Sequence, residues 1–121
     1  MPRPCWSLPG ILLSALVLAA CSDDSAPGAN TATEVVVRDG AQLYGQYCVT
    51  CHGSGALGAP RVGPENRLYW SHEVREEGLD TLVQEAINGF NSMPPRGGCF
   101  GCSDDEIRNT VIYMLQKSGA K

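Results

Sequence analysis

The chain is poor in aromatic residues and has no excess of basic ones. Aromatic residues make up 7% of its 121 residues, and the formal net charge is -4 at pH 7. A nucleic-acid-binding domain normally carries a basic patch, so nucleic acid is not expected as a partner. The apolar run in "LPGILLSALVLAAC" (residues 8–21) is too short for a permanent transmembrane helix. These absences leave one small domain, preceded by a segment that needs its own explanation.

The first twenty residues resemble an export signal. Arg3 precedes the apolar run, and small residues lead up to Cys21, as in the lipobox of bacterial lipoproteins. We predict a signal peptide over residues 1–20, a lipid on Cys21 that anchors the chain to a membrane, and a location on the periplasmic side. Ser22 favours the outer membrane by the enterobacterial sorting pattern. The alternative is an ordinary leader whose removal leaves Cys21 as a free thiol.

The rest of the chain divides into a polar tether and one helical domain. Residues 21–38 are mostly small and polar, which predicts a flexible tether, and the domain is predicted over residues 39–121. Helical patterns lie near residues 39–48, 64–78, 79–88 and 103–119. Glycine-rich and proline-rich stretches separate them, so the predicted fold class is all-α, with three or four helices and long loops. A domain this small usually needs a disulfide, a metal or a cofactor.

Residues 48–52, "CVTCH", are compatible with three kinds of site. Together with Cys99 and Cys102 they could bind zinc, but the two C-x-x-C pairs lie much farther apart than in zinc ribbons. A dithiol redox site needs its C-x-x-C at a helix N-terminus, and no β-α-β pattern surrounds either pair. Cys99 and Cys102 are therefore interpreted as a local disulfide that pins a loop.

Covalent attachment of haem is the third kind of site, and the one we predict. In C-x-x-C-H, the two cysteines reach the two vinyl groups of one porphyrin as thioethers, and the histidine lies under the iron. An exported chain favours this site further, because haem is attached after translocation. We therefore predict one haem c, bound by Cys48, Cys51 and His52.

A second iron ligand is then expected, and His72, Met93, Met114 and the tyrosines are the candidates. Met114 lies on the apolar stripe of the last helix, where a core role is expected. His72 lies in a charged helical stretch and is interpreted as a surface residue. Met93 lies in an irregular loop that Pro94 and Pro95 stiffen, so it is the predicted distal ligand.

Three segments match the pattern of one known family. They are "GAQLYGQYCVTCH" (40–52), "GAP" (58–60) and "MPPRGGCFGCSD" (93–104). Together they resemble cytochrome c5, a bacterial subgroup of the class I c-type cytochromes. The resemblance covers about residues 39–116 and implies the small class I cytochrome c fold around one covalent haem. The second cysteine pair after the methionine loop is its most specific mark.

The resemblance implies a role for each matched residue. It implies thioethers on Cys48 and Cys51, iron ligation by His52 and Met93, a disulfide between Cys99 and Cys102, and haem neighbours at Pro60, Arg61 and Trp70. The Pro60 carbonyl would accept a hydrogen bond from the second ring nitrogen of His52. Gly40 and Tyr44 would pack against the last helix near Tyr113.

The predicted ligands determine the predicted function. An iron with histidine and methionine ligands has no vacant position for a substrate, and methionine favours the ferrous state. We therefore predict an electron-transfer protein and not an enzyme: a one-electron carrier of an extracytoplasmic bacterial chain, with redox proteins as partners and no small-molecule substrate. The alternative is a haem-based ligand sensor or small haem enzyme with an open distal position. Removal of the leader takes away one charged residue, Arg3, so the mature chain remains acidic. Electrostatic steering toward a basic patch on a partner is therefore expected.

Overall fold

A computed structural model describes residues 37–121 of the chain. The predicted signal peptide, the predicted lipidation site at Cys21 and residues 21–36 of the predicted tether lie outside the described residues. Within residues 37–121, none of the helices has both the length and the apolar character that a membrane crossing needs. The described residues thus comprise the predicted domain and the two residues before it.

The described residues form an all-helical domain. Helix α1 (Gly40–Leu43) continues through a π-helical segment (Tyr44–Cys48) into α2 (Val49–His52). Helices α3 (Arg67–Glu76), α4 (Leu79–Asn88) and α5 (Asp104–Ser118) follow. Short 3₁₀ turns lie at Ala56–Gly58, Pro64–Asn66 and Pro95–Gly98. The described residues contain no β-strand, only an isolated bridge between Phe90 and Met93. The predicted fold class is confirmed.

Local sequence signals set the ends of the first and last helices. Asp39 caps α1, because its Oδ1 accepts a hydrogen bond from Ala41 N at 3.3 Å. Ser103 and Glu106 form a reciprocal capping box at the start of α5. Gly119 ends α5 with φ +70°, a left-handed conformation that glycine adopts without steric cost. These ends lie where the sequence pattern predicts them.

The π-helical segment was not predicted, and it changes which residues of the first helix are buried. Regular helical spacing would place Leu43, Tyr44 and Tyr47 on one apolar face. In the structure Leu43 and Tyr44 are buried, whereas Tyr47 is 39% exposed. A π-turn holds more residues than an α-turn, so the residues after Tyr44 are rotated relative to the expected face. Tyr47 thus lines a cavity beside Cys48 and is not part of the helical core.

The core lies where α5 packs against the first helix and against α4. Gly40 lies against the backbone of α5: a Cβ atom on this residue would come within 2.3 Å of the Asn109 carbonyl oxygen. The rings of Tyr44 and Tyr113 have their centroids 5.4 Å apart. The first helix thus packs on the last helix through the residues that the family resemblance implies. The buried core residues of α5 are Ile107, Val111, Met114 and Leu115.

Arg38, which precedes the predicted start of the domain, is bound to it. Its backbone N–H and its Nε both donate to Glu106 Oε1, at 3.0 and 2.7 Å. Glu106 lies in the first turn of α5, so the chain entering α1 is tied to the start of the last helix.

Candidate functional site

The two cysteines and the histidine of "CVTCH" lie on one continuous helical segment and face one cavity of about 310 Å³. Neither thiol takes part in a disulfide. Burial raises the pKa of the Cys48 thiol to about 11, and the adjacent Cys51 adds to this shift. A dithiol redox centre needs an attacking thiol with a lowered pKa, so the structure argues against Cys48 in that role.

His52 is held in one orientation by the loop that follows it. The side chain is 7% exposed, and its Nδ1 donates to the Pro60 carbonyl oxygen at 2.8 Å. Since a carbonyl can only accept, Nδ1 carries a proton, and in the neutral ring Nε2 then has the lone pair. The backbone of the same loop returns to the histidine, because Val62 N donates to the His52 carbonyl at 2.7 Å. This geometry leaves Nε2 as the ring atom that is available to bind a metal.

The loop after α4 brings Met93 to the same cavity. Phe90 and Met93 pair through two backbone hydrogen bonds of 3.1 and 2.8 Å, which close the loop before Pro94. A Cβ atom on Gly97 would lie 3.8 Å from both Cys48 Sγ and Met93 Cε. The side chains of Cys48 and Met93 therefore both lie next to Gly97, which has no side chain of its own.

The other two candidate ligands have different positions. Met114 lines the cavity as well, but it is buried in the apolar face of α5. His72 is not among the described residues that line the cavity, and its largely exposed ring lies beside Glu73, with Nδ1 3.6 Å from Oε1. The structure thus brings Met93 and Met114 to the cavity and leaves His72 at the surface.

The three expected haem neighbours are not equivalent. Pro60 and Trp70 line the cavity, and the Trp70 ring centroid is 6.3 Å from that of His52. Arg61 is not among the described lining residues: its guanidinium lies 3.6 Å from the Glu65 carboxylate. Its backbone carbonyl accepts a hydrogen bond from Trp70 Nε1 at 2.8 Å. The contribution of Arg61 in this structure is therefore to orient Trp70.

The second cysteine pair lies outside the cavity. Cys99 and Cys102 are joined as a disulfide immediately before α5, and both are buried. A zinc site built from all four cysteines would need these two as free thiolates beside Cys48 and Cys51. The disulfide excludes such a site.

The residues of the cavity fit a covalently bound haem. Two free thiols are spaced three residues apart, and the next residue is a histidine whose Nε2 is free. A porphyrin is largely apolar, and the walls around these groups are largely apolar too. Their aliphatic members include Leu57, Leu82, Ala86 and Val111.

Comparison with known proteins identifies the family. The family model described as cytochrome c oxidase, cbb3-type, subunit III matches residues 35–114. Cytochrome c5 of Ectopseudomonas mendocina is 40% identical over 78 residues, which span 64% of this chain and 87% of the relative. Cytochrome c-555 of Chlorobaculum tepidum is 35% identical over 83 residues, 65% of this chain and 74% of the relative. The chain is a c5-like class I c-type cytochrome.

This c-type cytochrome also resembles a solved structure and part of an oxidase subunit. A crystal structure of an electron transfer complex of nitrite reductase with cytochrome c contains a chain that is 34% identical. That match has a TM-score of 0.60 and covers 65% of this chain and 93% of the other. The oxidase subunit CcoP of Rubrivivax gelatinosus is 30% identical, but the match spans only 26% of its length. The likeness to CcoP thus concerns one part of a larger protein.

Family membership confirms the predicted cofactor and function. The cytochrome binds one haem c covalently and carries electrons, and it is not an enzyme. Bacterial c-type cytochromes of this kind are generally extracytoplasmic.

Sequence reasoning missed several residues of the cavity wall. Leu57 has φ +55°, which is uncommon for a leucine, and its carbonyl accepts a hydrogen bond from Ser92 Oγ at 3.0 Å. This bond joins the loop after His52 to the loop that carries Met93, and no local pattern indicates it. The carboxylates that line the cavity were indicated only weakly in the sequence, by the unusually high charge of "EVREEG" (73–78).

Proposed function

We propose that Cys48 and Cys51 carry the thioethers and that the iron is ligated by His52 Nε2 and Met93. The supporting observation is the His52–Pro60 hydrogen bond, which leaves Nε2 free at a cavity that Met93 also lines. The haem supplies a one-electron couple between ferrous and ferric iron. With His52 and Met93 both holding the iron, the protein would exchange electrons and would offer no site for a substrate.

The surrounding residues would adjust this couple without taking part in covalent chemistry. The Pro60 carbonyl holds the His52 ring in one orientation, as groups behind metal ligands commonly do. Apolar side chains on α4 and α5 exclude water, and a low local polarity disfavours the net charge of the ferric centre. Together with a methionine ligand, they favour the ferrous state and so a raised reduction potential.

The experiment that tests this proposal compares two methionine variants, because both side chains line the cavity. Met93→Ala should keep the haem attached, lose the long-wavelength charge-transfer band of methionine-ligated ferric haem, and lower the potential. Met114→Leu should keep the band and shift the potential little, because leucine nearly conserves the buried volume. Visible spectra and redox titrations of the purified holoproteins give both readouts.

Two outcomes would contradict the proposed ligands. Loss of the band in Met114→Leu but not in Met93→Ala would transfer the ligand role to Met114. Rapid binding of carbon monoxide to the unmodified ferrous protein at neutral pH would show an open distal position, as in a ligand sensor or haem enzyme.

Redox proteins are the proposed partners. A 34% identical cytochrome c has been crystallised in an electron transfer complex with nitrite reductase, which supports docking to a larger redox protein. Contact with such a partner needs to be brief, because electron transfer leaves both iron ligands in place. We propose transfer through the exposed haem edge.

The predicted lipid anchor is a separate proposal about residues outside the described part. We propose that residues 1–20 are cleaved, that Cys21 is lipidated, and that the part of the predicted tether (21–38) that precedes Arg38 links the domain to the outer membrane on its periplasmic side. Cys21→Ser should release the holoprotein from the membrane fraction, and mass spectrometry should find no acyl chains. Cys5→Ser is the matched control, since Cys5 would be removed with the leader. If unmodified protein has a free thiol at residue 21, the anchor is wrong.

A further inference from the structure

Three carboxylates lie in one part of the haem cavity wall. Glu73 and Glu77 come from the C-terminal part of α3, and Glu85 comes from α4. No lysine or arginine is found among the described residues that line this cavity. We refer to Glu73, Glu77 and Glu85 as the acidic face.

The charges of the acidic face are poorly compensated. Most carboxylates elsewhere in residues 37–121 lie beside an arginine, in the pairs Arg38–Glu106, Arg61–Glu65, Arg75–Glu76, Arg96–Asp104 and Arg108–Asp80. Glu77 and Glu85 make no such pair within the described residues, and Glu73 approaches only the His72 imidazole, at 3.6 Å. The acidic face therefore concentrates unpaired negative charge beside the cavity.

The three carboxylates are close enough to interact. Burial raises the pKa of Glu85, and repulsion from Glu77 and Glu73 raises it further. Burial also raises the pKa of the Tyr69 hydroxyl, and the same three carboxylates add to that shift. These side chains come together because Gly78, at φ +83°, ends α3 and turns the chain directly into α4.

This arrangement does not favour folding. Glu77 is the C-cap residue of α3, where the helix dipole is negative and a cation is the favourable choice. Local rules of this kind are most often broken at functional sites.

We propose that the acidic face is a docking surface for a redox partner that presents lysine or arginine side chains. The proposal rests on the function proposed above, in which electrons pass through the exposed haem edge, and it specifies where a partner binds and what its surface carries. Opposite charges across this contact speed association and make its rate depend on salt. Charge on the distant surface should matter less, because salt screens it.

Two small oxidants of opposite charge test the local field. The ferrous holoprotein gives one electron to tris(phenanthroline)cobalt(III), a cation, or to hexacyanoferrate(III), an anion, and stopped-flow absorbance follows both reactions. Glu77→Gln/Glu85→Gln should slow the reaction with the cobalt complex and speed the reaction with hexacyanoferrate, each several-fold at low ionic strength. Glu76→Gln/Asp105→Asn is the control, because it removes the same net charge from residues that do not line the cavity.

The outcomes separate the two proposals. Equal effects in both double variants would show that only net charge matters, and the docking proposal would be wrong. If neither oxidant takes an electron from the ferrous protein at any ionic strength, the carrier function itself fails.

Pentalysine tests whether basic side chains bind there. Titrated into ¹⁵N-labelled ferrous holoprotein, it should shift the amide signals at the end of α3 and along α4, and the Glu77→Gln/Glu85→Gln variant should respond less. Shifts confined to other surfaces, or none at low salt, would overturn the proposal.

Discussion

The guanidinium of Arg38 binds the carboxylate of Glu106 through two hydrogen bonds, Nε to Oε1 at 2.7 Å and Nη2 to Oε2 at 2.8 Å. Oε2 also accepts from Ser103 N at 2.9 Å, in the capping box of α5. These hydrogen bonds, led by that from the Arg38 side chain, hold the pKa of Glu106 well below its ordinary value of 4.5. One buried carboxylate thus joins the residue before α1 to the start of α5.

Glu106→Gln should make the protein less stable at neutral pH and less sensitive to acid. A carboxylate whose pKa is lowered in the folded state stabilises that state above its unfolded pKa, and this stability is lost as the pH falls from about 4.5 toward the folded pKa. The unmodified protein should therefore lose thermal stability steeply below about pH 4.5, and the variant less so. Melting temperatures from about pH 7 to about pH 3 measure the difference.

Asp105→Asn is the control for this pH dependence, because Asp105 is exposed in the same helical turn. It should keep the acid sensitivity of the unmodified protein. If Glu106→Gln shows the same steep loss below about pH 4.5, another group causes it.

The close approach of α1 and α5 predicts opposite effects for two glycine substitutions. A Cβ atom on Gly40 would lie 2.3 Å from the Asn109 carbonyl oxygen and 3.0 Å from Thr110 N, both backbone atoms of α5. Gly40→Ala should therefore separate the helices and lower the free energy of unfolding by about 1–3 kcal/mol.

Gly45→Ala is the control, because nothing lies within 4 Å of the position that a Cβ atom would take there. It should be neutral or stabilise by up to about 1 kcal/mol. Urea unfolding of the holoproteins measures both, and equal stabilities would contradict the close contact.

Local sequence patterns predicted much of the fold. Asp39, Ser103 with Glu106, and Gly119 lie at helix ends because caps depend on only a few neighbouring residues. Haem attachment could be predicted for the same reason, since both thioethers and the histidine need only five consecutive residues.

Contacts between distant segments could not be predicted in this way. Glu106 and Arg38 are 68 residues apart, and the bond from Ser92 to Leu57 spans 35 residues. Both depend on how the helices cross, which no local pattern encodes. The position of Tyr47 at the haem cavity follows from a π-turn that the apolar spacing does not indicate.

The Cys99–Cys102 disulfide closes a very short loop, and its removal should affect stability rather than redox chemistry. The loop-entropy model gives about 2 kcal/mol for so small a ring. Cys99→Ala/Cys102→Ala should lower the free energy of unfolding by about that amount and leave the haem spectrum unchanged. Neither cysteine lines the haem cavity, so the reduction potential should shift little. Urea titrations and redox titrations check the two expectations. A potential change as large as that of Met93→Ala would refute a purely structural role.

Arg96 connects the methionine loop to the start of α5 and holds an unusual backbone conformation. Its φ is +57°, which costs an L-residue about 1–2 kcal/mol. Its Nη1 donates to the Cys102 carbonyl at 3.0 Å, and its Nη2 pairs with the Asp104 carboxylate. The side chain therefore holds a left-handed turn three residues after Met93.

Arg96→Gly removes the side chain while keeping a residue that adopts this backbone conformation freely. If Met93 is the distal ligand, loss of the Arg96 contacts should loosen its loop, so that the charge-transfer band of the ferric protein disappears on heating before the helices melt. The melting curves from the band and from far-ultraviolet circular dichroism, recorded over the same temperature range, should separate in this variant and coincide more closely in the unmodified protein.

Arg75→Gly is the control. Arg75 is an exposed residue of α3, and within the described part of the chain it pairs only with Glu76. This substitution should lower the helix melting temperature without separating the two curves. If the curves of Arg96→Gly coincide as they do in the unmodified protein, Arg96 has no part in positioning Met93.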